Sequence, residues 1–383
     1  MSGIHDRGMA TFACTPGQSR GRRYEEEESA YRNVFQRDRD RIIHSNAFRR
    51  LEYKTQVFVN HEGDHYRTRL THSIEVAQIA RSICRAMRLH EDLAEAVALA
   101  HDLGHTPFGH SGQDALDKMM SAFGGFEHNR QSLRTVEKLE RRYAAFPGLN
   151  LSYETREGII KHRSLHDKSK AGDLKDYALH EQPTLEAQVA NLADEIAYNN
   201  HDIDDGVRAG ILDLSSLREI ELFRASYEEV EARYPGIEYD LAVHETVRRM
   251  INALIVDVVE ESGRRLRNAK IDSLGEVRSS PSPLVGFSSG MRRQNIQLKR
   301  YLYRNMYQHY RVVRMAAKAE RVISELFEAL MKRPAMLPPR QKYLHDEADD
   351  AAKARVIADY IAGMTDRYAF DEYDRLFDIG ARS

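Results

Sequence analysis

Residues 93–110 read LAEAVALAHDLGHTPFGH, and this stretch decides how the rest of the chain is interpreted. Its first eight residues have the apolar spacing of a helix that buries one face. His101 and Asp102 follow directly, and Gly104 then breaks the pattern. An imidazole and a carboxylate on such a face are costly to bury unless they are paired or bound to a metal ion. The stretch therefore predicts a helical core with a polar site at one helix end.

Histidine is frequent around this stretch. The chain has 383 residues, 17 of which are histidine, and eight of these lie between His61 and His128. The 57 basic and 59 acidic side chains nearly cancel, which argues against a protein built mainly to coat nucleic acid. With 42% apolar residues, the chain can bury a substantial core, so global disorder is not expected.

The compartment is inferred from what the sequence lacks. No apolar run approaches the roughly 18 residues that span a membrane. The first residues contain no apolar segment typical of a secretory signal. Cys14 lies in a polar leader and Cys84 in an apolar helical pattern, so a disulfide framework is not expected. We therefore expect a cytoplasmic, reduced protein.

Helical periodicity dominates the chain, and the sequence predicts an all-α fold. The one candidate strand is TQVFVN, at 55–60. A helix is expected over 184–200 and a long helix over 291–332, where the Pro-rich AMLPPR follows. Residues 268–290 are rich in Ser, Gly and Pro, which predicts a flexible connection.

Two further residues strengthen the case for a metal site. His72 lies on the preceding predicted helix, and Asp194 lies on a later apolar one. Imidazole nitrogens and carboxylates suit a divalent ion such as Mg²⁺, Mn²⁺, Fe²⁺ or Zn²⁺. Adjacent helical residues diverge by about 100°, so an ion held by both His101 and Asp102 requires a helix end. A lone histidine on such a face is more often a core residue, and it is the combination that favours a metal.

This H…HD…D set is the metal signature of the HD phosphohydrolase superfamily, and the flanking sequence resembles one family within it, the bacterial deoxyguanosine triphosphate triphosphohydrolases. The stretches that carry the resemblance are NAFRRLEYKTQVF (46–58), RTRLTHSIEVAQIAR (67–81), AHDLGHTPFGHSGQDAL (100–116), FEHNRQSLR (126–134) and LADEIAYNNHDIDDG (192–206). The resemblance implies an all-α HD-domain helical bundle with additional C-terminal helices. It implies hydrolysis of dGTP, or of other dNTPs, to deoxynucleoside and inorganic triphosphate.

The resemblance also assigns site residues. The predicted metal ligands are His72, His101, Asp102 and Asp194. His105, His110 and His128 match the residues around the phosphates and the attacking water. Histidine exists in neutral and charged forms near pH 7, which suits proton transfer. His110 is the strongest candidate for direct participation, and the alternative for His105 is that it only caps the turn.

One position departs from the family pattern. Many relatives carry an acidic residue three positions after the second loop histidine, where this chain has Gln113. An amide cannot act as a general base. Either His110 acts without a carboxylate partner, or Asp114 or another acid replaces the missing group. His61, His65 and His90 match no family position and are interpreted as surface residues.

Substrate contacts are carried over by resemblance as well. They are Arg69, Gln56, Tyr198, Asp202, Lys299, Tyr307 and Gln308. Arg69 matches a phosphate-binding arginine, and Tyr198 is expected beneath the deoxyribose, where it leaves no room for a 2′-hydroxyl. Lys299, Tyr307 and Gln308 lie in a basic segment, residues 291–314, and the part of it that reads LKRYLYRNMYQH (298–309) resembles a segment of the mammalian SAM-and-HD-domain dNTPase. The alternatives are a solvated Arg69 and a Tyr198 that belongs to the core.

The expected organisation is a flexible tail over 1–28, a dNTPase core over 29–335 with its HD region at about 65–205, and a C-terminal extension over 336–383 packed on the core. A homo-oligomer is expected by resemblance. The basic segment could, instead of substrate, bind single-stranded DNA or a neighbouring subunit. Two rival functions stay open. One is an HD nucleotidase or phosphodiesterase acting on another nucleotide, and the other is a catalytically weakened regulator that binds nucleotide or single-stranded DNA.

Overall fold

The computed structural model describes residues 8–56, 67–162, 176–339 and 349–380. The chain forms two compact units. The first comprises residues 1–42, 72–99 and 151–309, and the second comprises residues 43–71, 100–150 and 310–383. Within the described ranges no strand forms, and only isolated β-bridges occur, so the predicted all-α class is confirmed.

The helices are numbered in chain order. They are α1 (Val34–Ile43), α2 (Asn46–Arg50), α3 (Arg69–Met87), α4 (Glu91–Ala100), α5 (Gly109–Met119), α6 (His128–Arg134), α7 (Tyr153–Ile160), α8 (Leu185–Arg208), α9 (Leu214–Leu217), α10 (Glu221–Arg233), α11 (Tyr239–Asn268), α12 (Leu274–Ser279), α13 (Ser289–Leu302), α14 (Tyr310–Lys332), α15 (Asp350–Ala362) and α16 (Asp366–Phe377). Among the described helices, none has the length and apolar character that crossing a membrane requires.

The first unit is built around α8. Thr184 caps this helix by accepting a hydrogen bond from the Ala187 amide, which satisfies one of the free donors of the first turn. The helix packs against α7, α11 and α13. Its apolar side chains Val189, Ala193 and Ile196 are almost completely buried. Because α8 is central to this unit, the polar residues along it are held in fixed positions.

The N-terminal segment, predicted as a flexible tail, packs on the first unit over its described part, residues 8–28. Cys14 is fully buried, and its amide donates to Glu186 Oε1 at 3.0 Å. Arg22 donates to Asp38 Oδ1 at 2.6 Å. Cys14 and Cys84 are both free thiols, as expected, and burial raises the pKa of each well above its usual value.

The second unit has its own apolar core, made by α5, α14, α15 and α16. Leu116 of α5, Ile323 and Leu326 of α14, and Ile357 and Ile361 of α15 are fully buried in one cluster. Burial of this many aliphatic side chains is the main stabilising term for such a helix group. Residues predicted as a C-terminal extension thus share a core with α14.

Three local predictions fail or fall outside the described residues. The predicted helix over 291–332 is interrupted, because α13 ends at Leu302 and a π-helical turn at Tyr303–Tyr307 precedes α14. The predicted flexible connection over 268–290 contains α12, which buries Leu274 and Val277, and three further buried apolar side chains, Leu284, Val285 and Phe287. Thr55 of the predicted strand forms a single bridge with Thr68, and residues 57–60 are outside the described part.

Candidate active site

Two of the four predicted metal ligands lie together in the first unit. His72 of α3 is fully buried, and its Nε2 lies 2.9 Å from Oδ1 of Asp194 on α8. His162, which follows α7, places its Nε2 3.2 Å from the other carboxylate oxygen of Asp194. The carboxylate is therefore oriented by contacts on both oxygens. His162 was missed in the sequence because it stands outside the HD motif and no periodic pattern marks it.

A further contact orients His72. Nδ1 of His201, on α8, lies 3.5 Å from Nδ1 of His72, and the two rings meet edge to face. Nε2 of His201 lies 3.1 Å from Oε2 of Glu75. His72 thus has a polar neighbour at each ring nitrogen. Such neighbours fix the orientation of a metal-binding imidazole and raise its affinity for the ion.

The other two predicted ligands lie in the second unit, directly after α4. His101 and Asp102 are 3% and 2% exposed. Arg69 donates from Nη1 to Asp102 Oδ2 at 3.0 Å. The other oxygen of Asp102, Oδ1, lies 3.1 Å from Nε2 of His105 and 3.3 Å from Nε2 of His101. Arg69 is therefore a buried partner of Asp102 and not a solvated arginine.

Electrostatics fixes the protonation of this group. Burial alone would raise the pKa of Asp102, but His101 and Arg69 outweigh it and hold the pKa well below its usual value. Burial, and then Arg69, lower the pKa of His105 to about 4. His105 is thus neutral at pH 7, which differs from the expectation that it would exist in both forms. Asp102 is thus an ionised carboxylate, which is the form that binds a metal.

The backbone after Asp102 turns sharply against α6. Gly104 donates its amide to Ser132 Oγ at 2.8 Å, and Ser132 Oγ donates to the His101 carbonyl at 2.8 Å. A Cβ on Gly104 would come within 2.1 Å of the Ser132 amide nitrogen. Only glycine permits this close approach. The end of the helical pattern predicted at Gly104 is therefore explained by the packing of this residue against α6.

The three remaining predicted histidines form one cluster in the second unit. The rings of His105 and His128 stack with centroids 4.1 Å apart. The ring of His110 lies edge-on to that of His105 at 5.3 Å and to that of His128 at 6.2 Å. His105 is therefore more than a turn cap, because it contacts both other imidazoles and Asp102.

Gln113 has a specific partner in this cluster. Its Oε1 accepts from the backbone amide of His128 at 3.1 Å and lies 2.7 Å from His128 Nδ1. A glutamine oxygen is only an acceptor, so Nδ1 of His128 carries the proton. Asp114 is exposed. The carboxylate beside His128 is instead Glu127, whose Oε1 lies 3.3 Å from Nδ1.

Three of the predicted substrate contacts, Tyr198, Asp202 and Tyr307, lie together in the first unit. Tyr307, at the end of the π-helical turn, donates its hydroxyl proton to Asp202, and its hydroxyl oxygen is also hydrogen-bonded to the hydroxyl of Tyr198. The two tyrosine rings are nearly parallel, at 15°. Burial, and then the charge of Asp202, raise the pKa of Tyr307 well above its usual value, so the hydroxyl stays protonated. The predicted stripe of Asp194, Tyr198 and Asp202 runs along the continuous helix α8.

The other predicted substrate residues, Lys299, Gln308 and Gln56, differ in their burial and in their partners. Lys299 of α13 binds Glu195, the neighbour of Asp194, with Nζ–Oε1 at 2.6 Å. Gln308 is exposed, next to Tyr307. Gln56 lies in the second unit, and its Oε1 is buried with no hydrogen-bond partner among the described residues. A buried acceptor without a donor is costly, which suits a residue that receives a donor from a ligand.

The three histidines without a family match were all interpreted as surface residues, and the structure describes one of them. His61 and His65 lie outside the described residues. His90, interpreted as a surface residue, is 2% exposed, and that interpretation is wrong. Its ring meets Phe35 edge to face at 4.9 Å, and its amide donates to Glu186 at 3.1 Å. Its position after α3 is a packing position in the first unit.

The chain matches two known domain families. Residues 69–199, which include all four predicted ligands, match the HD domain, and residues 285–375 match the phosphohydrolase-associated domain. The helical fold and these matches define an HD-domain hydrolase.

Relatives then narrow the class. A deoxyguanosinetriphosphate triphosphohydrolase-like protein of Bordetella pertussis is 56% identical over 97% of this chain and 97% of its own. Proteins of the same name from Nitrosomonas europaea and Thiobacillus denitrificans are 56% and 54% identical, each over 97% of this chain and 98% of their own. The chain belongs to the deoxyguanosinetriphosphate triphosphohydrolase-like family, as the sequence motifs predicted.

Proposed function

We propose that the protein is a divalent-metal-dependent dNTP triphosphohydrolase that cleaves dGTP, and other dNTPs to an extent set by the base, into deoxynucleoside and inorganic triphosphate. The family's name supports the nucleotide triphosphohydrolase class. The observation that carries the deoxyribose part is the contact of Tyr307 with Tyr198 and Asp202. These three residues make a polar and aromatic surface of the kind that binds a sugar.

The proposed ligands are His72, His101, Asp102 and Asp194. Their donor chemistry fits a divalent ion such as Mg²⁺, Mn²⁺ or Fe²⁺, because it consists of imidazole nitrogens and carboxylate oxygens. Within each unit the ligands are buried or half-buried and are held by polar neighbours. When bound, the ion would polarise a phosphoryl oxygen and lower the pKa of a water.

The chain's own residues then have defined tasks. Arg69 fixes Asp102 and carries a positive charge for the α-phosphate. Lys299 supplies a cation for the remaining phosphates once Glu195 releases it. Gln56 offers its buried oxygen to a sugar hydroxyl. His128, with its proton on Nδ1, keeps a lone pair on Nε2, and His110 and neutral His105 lie against it for proton transfer.

Product analysis tests this function. The wild-type protein is incubated with each of the four dNTPs and the matching ribonucleotides, with Mg²⁺, Mn²⁺ or Fe²⁺, and inorganic triphosphate is measured. Triphosphate release from a dNTP supports the proposal. Orthophosphate or a linear dinucleotide as the product would favour another HD phosphohydrolase. Nucleotide binding with no product would favour a regulator.

A ligand variant supplies the second test. We expect His101→Ala to abolish triphosphate release while the protein stays folded. His101→Ala is cleaner than Asp102→Ala, because removing Asp102 also leaves the buried Arg69 without its acceptor. Activity of His101→Ala at the wild-type level would refute the assignment. Assembly into a homo-oligomer and binding of single-stranded DNA by residues 291–314 stay predictions from resemblance.

A further inference from the structure

The loop that carries the histidine cluster has an unusual backbone. Leu103–Gly109 connects the His101–Asp102 pair to His110 within the second unit. Phe108 has a φ of +63° and Gly109 a φ of +59°. A left-handed conformation is rare for a bulky residue such as phenylalanine, and it persists only where the surroundings hold it. The contacts that hold this loop therefore decide where His105 and His110 lie.

Lys54 is the first such contact. Its side chain is almost fully buried, and its Nζ donates to the carbonyl of His105 at 2.6 Å and to the carbonyl of Ala362 at 2.8 Å. Ala362 is the last residue of α15. The terminal nitrogen of one lysine thus joins the histidine loop to the end of a C-terminal helix.

Asp366 is the second contact. It opens α16 and is 4% exposed. Its Oδ1 accepts from the Phe108 amide at 2.9 Å, and its Oδ2 accepts from the Thr55 amide at 2.9 Å. The ring of Phe370, on the same helix, packs against the ring of Phe108 with centroids 4.8 Å apart. The strained residue is therefore held by its amide and by its side chain.

We propose that Lys54 and Asp366 are positioning residues, and that through them α15 and α16 set the geometry of the His105–His110 loop for catalysis. The side chains of both residues bind backbone atoms of the loop. The backbone carbonyl of Lys54 also accepts the amide of Arg69 at 3.1 Å, so the side-chain contacts are what a substitution tests. The inference rests on the proposed triphosphohydrolase activity. It gives a catalytic task to part of the phosphohydrolase-associated domain, which is residues 285–375.

A nearby contact provides the control. Arg50 donates from Nη1 to the carbonyl of Gly363 at 2.9 Å, so it ties the same helix connection without touching the loop. Arg50→Ala therefore loosens the attachment of α15 and α16 but leaves the loop contacts in place. Asp366→Asn changes the loop contact itself. An asparagine keeps the shape, but only one of its two terminal atoms is an acceptor, so one of the two amides loses its partner.

The test compares full-length wild type, Asp366→Asn and Arg50→Ala. For Asp366→Asn we expect kcat for triphosphate release to fall about 10–100-fold, because small misplacements of catalytic groups have effects of this size. We expect a smaller change in KM than in kcat and an unchanged bound-metal content, because the side chain of Asp366 bonds the backbone amides of Phe108 and Thr55 rather than a substrate side chain. Histidine ring ¹⁵N signals of His105 and His110 should move in Asp366→Asn and not in Arg50→Ala.

Two results would overturn the proposal. One is a folded Asp366→Asn protein with wild-type kcat, and the other is an equal loss of kcat in Arg50→Ala. If Asp366→Asn does not fold, Lys54→Met is measured in its place, because it removes the donor to the His105 carbonyl at similar volume. A wild-type protein that releases no triphosphate refutes the proposed function instead, and the histidine signals then still report whether Asp366 positions the loop.

Discussion

The side-chain oxygen of Gln113 lies 2.7 Å from Nδ1 of His128 and also accepts the backbone amide of that residue. This contact turns the one departure from the family pattern into a defined structural role. The amide oxygen fixes the tautomer of His128 and leaves Nε2 as the acceptor on the other side of the ring. Glu127 supplies the nearby carboxylate, at 3.3 Å.

Replacing Gln113 should expose this role. Gln113→Leu removes the oxygen that accepts from the backbone amide and from Nδ1 of His128. We therefore expect kcat for triphosphate release to fall about 10²-fold, which is the lower range for general acid–base groups. Gln113→Glu retains an acceptor at the same place and should keep most of the activity. The ¹⁵N signals of the His128 ring measure the tautomer directly. Wild-type kcat and an unchanged tautomer in Gln113→Leu would contradict the assignment.

The contact between Tyr307 and Tyr198 leads to a prediction on sugar selectivity. If Tyr198 lies beneath the deoxyribose, Tyr198→Ala makes room for a 2′-hydroxyl. We expect the ratio of kcat/KM for dGTP over GTP to fall about tenfold or more, since steric exclusion in a pocket commonly has this size. Steady-state triphosphate release from the two nucleotides measures the ratio.

Tyr307→Phe is the matched control for that experiment. It removes the hydroxyl that bonds Tyr198 and Asp202 but keeps the ring volume. It should lower kcat/KM for both nucleotides by a similar factor and leave the ratio nearly unchanged. A selectivity loss in Tyr307→Phe as large as that in Tyr198→Ala would mean that the hydroxyl network, and not ring bulk, excludes the ribose.

The sequence correctly predicted the placement of candidate residues where these residues lie on one helix. Asp194, Tyr198 and Asp202 recur at every fourth residue, and α8 is continuous across them, so their shared face followed from helical geometry alone. The end of α4 before His101 and Asp102 was predictable for the same reason, because Gly104 marks it. Motifs of this kind also identified the family.

Contacts between distant segments were not predictable. His162 meets Asp194 across 32 positions, and Asp366 meets Phe108 across 258. No local period encodes such pairs, since they depend on tertiary packing. The π-helical turn at Tyr303–Tyr307 was missed for a related reason. It changes the register of the basic segment, so Tyr303 is 57% exposed while Tyr307 reaches Asp202.

Lys54 should make stability depend on pH. Burial, and then the charge of Arg50, lower its pKa from 10.5 to about 7. Between these values the unfolded chain binds more protons than the folded protein, so stability rises with pH across this window. The gain is at most about 1.4 kcal/mol per pH unit for one group. Below pH 7 the cost of the buried charge is fully present.

Urea unfolding at pH 6.5, 7.5 and 8.5 measures this effect. The free energy of unfolding of wild type should rise relative to that of Lys54→Met as the pH increases. Subtracting the variant removes the contribution of every other titrating group that the two proteins share. A difference between the two proteins that stays constant over this range would show that the pKa of Lys54 is not lowered.

His162 should contribute to metal affinity although it is not a proposed ligand. Its Nε2 lies 3.2 Å from the Asp194 oxygen that faces away from His72, so it orients that carboxylate. We expect His162→Ala to weaken metal binding about 10–100-fold, as loss of such orienting contacts commonly does. Calorimetric titration of the metal-free protein with Mn²⁺ measures this without nucleotide. His244→Ala is the control, because His244 is half-exposed and bonds Asp204 in the same unit. Equal affinity in wild type and His162→Ala would show that Asp194 needs no such support.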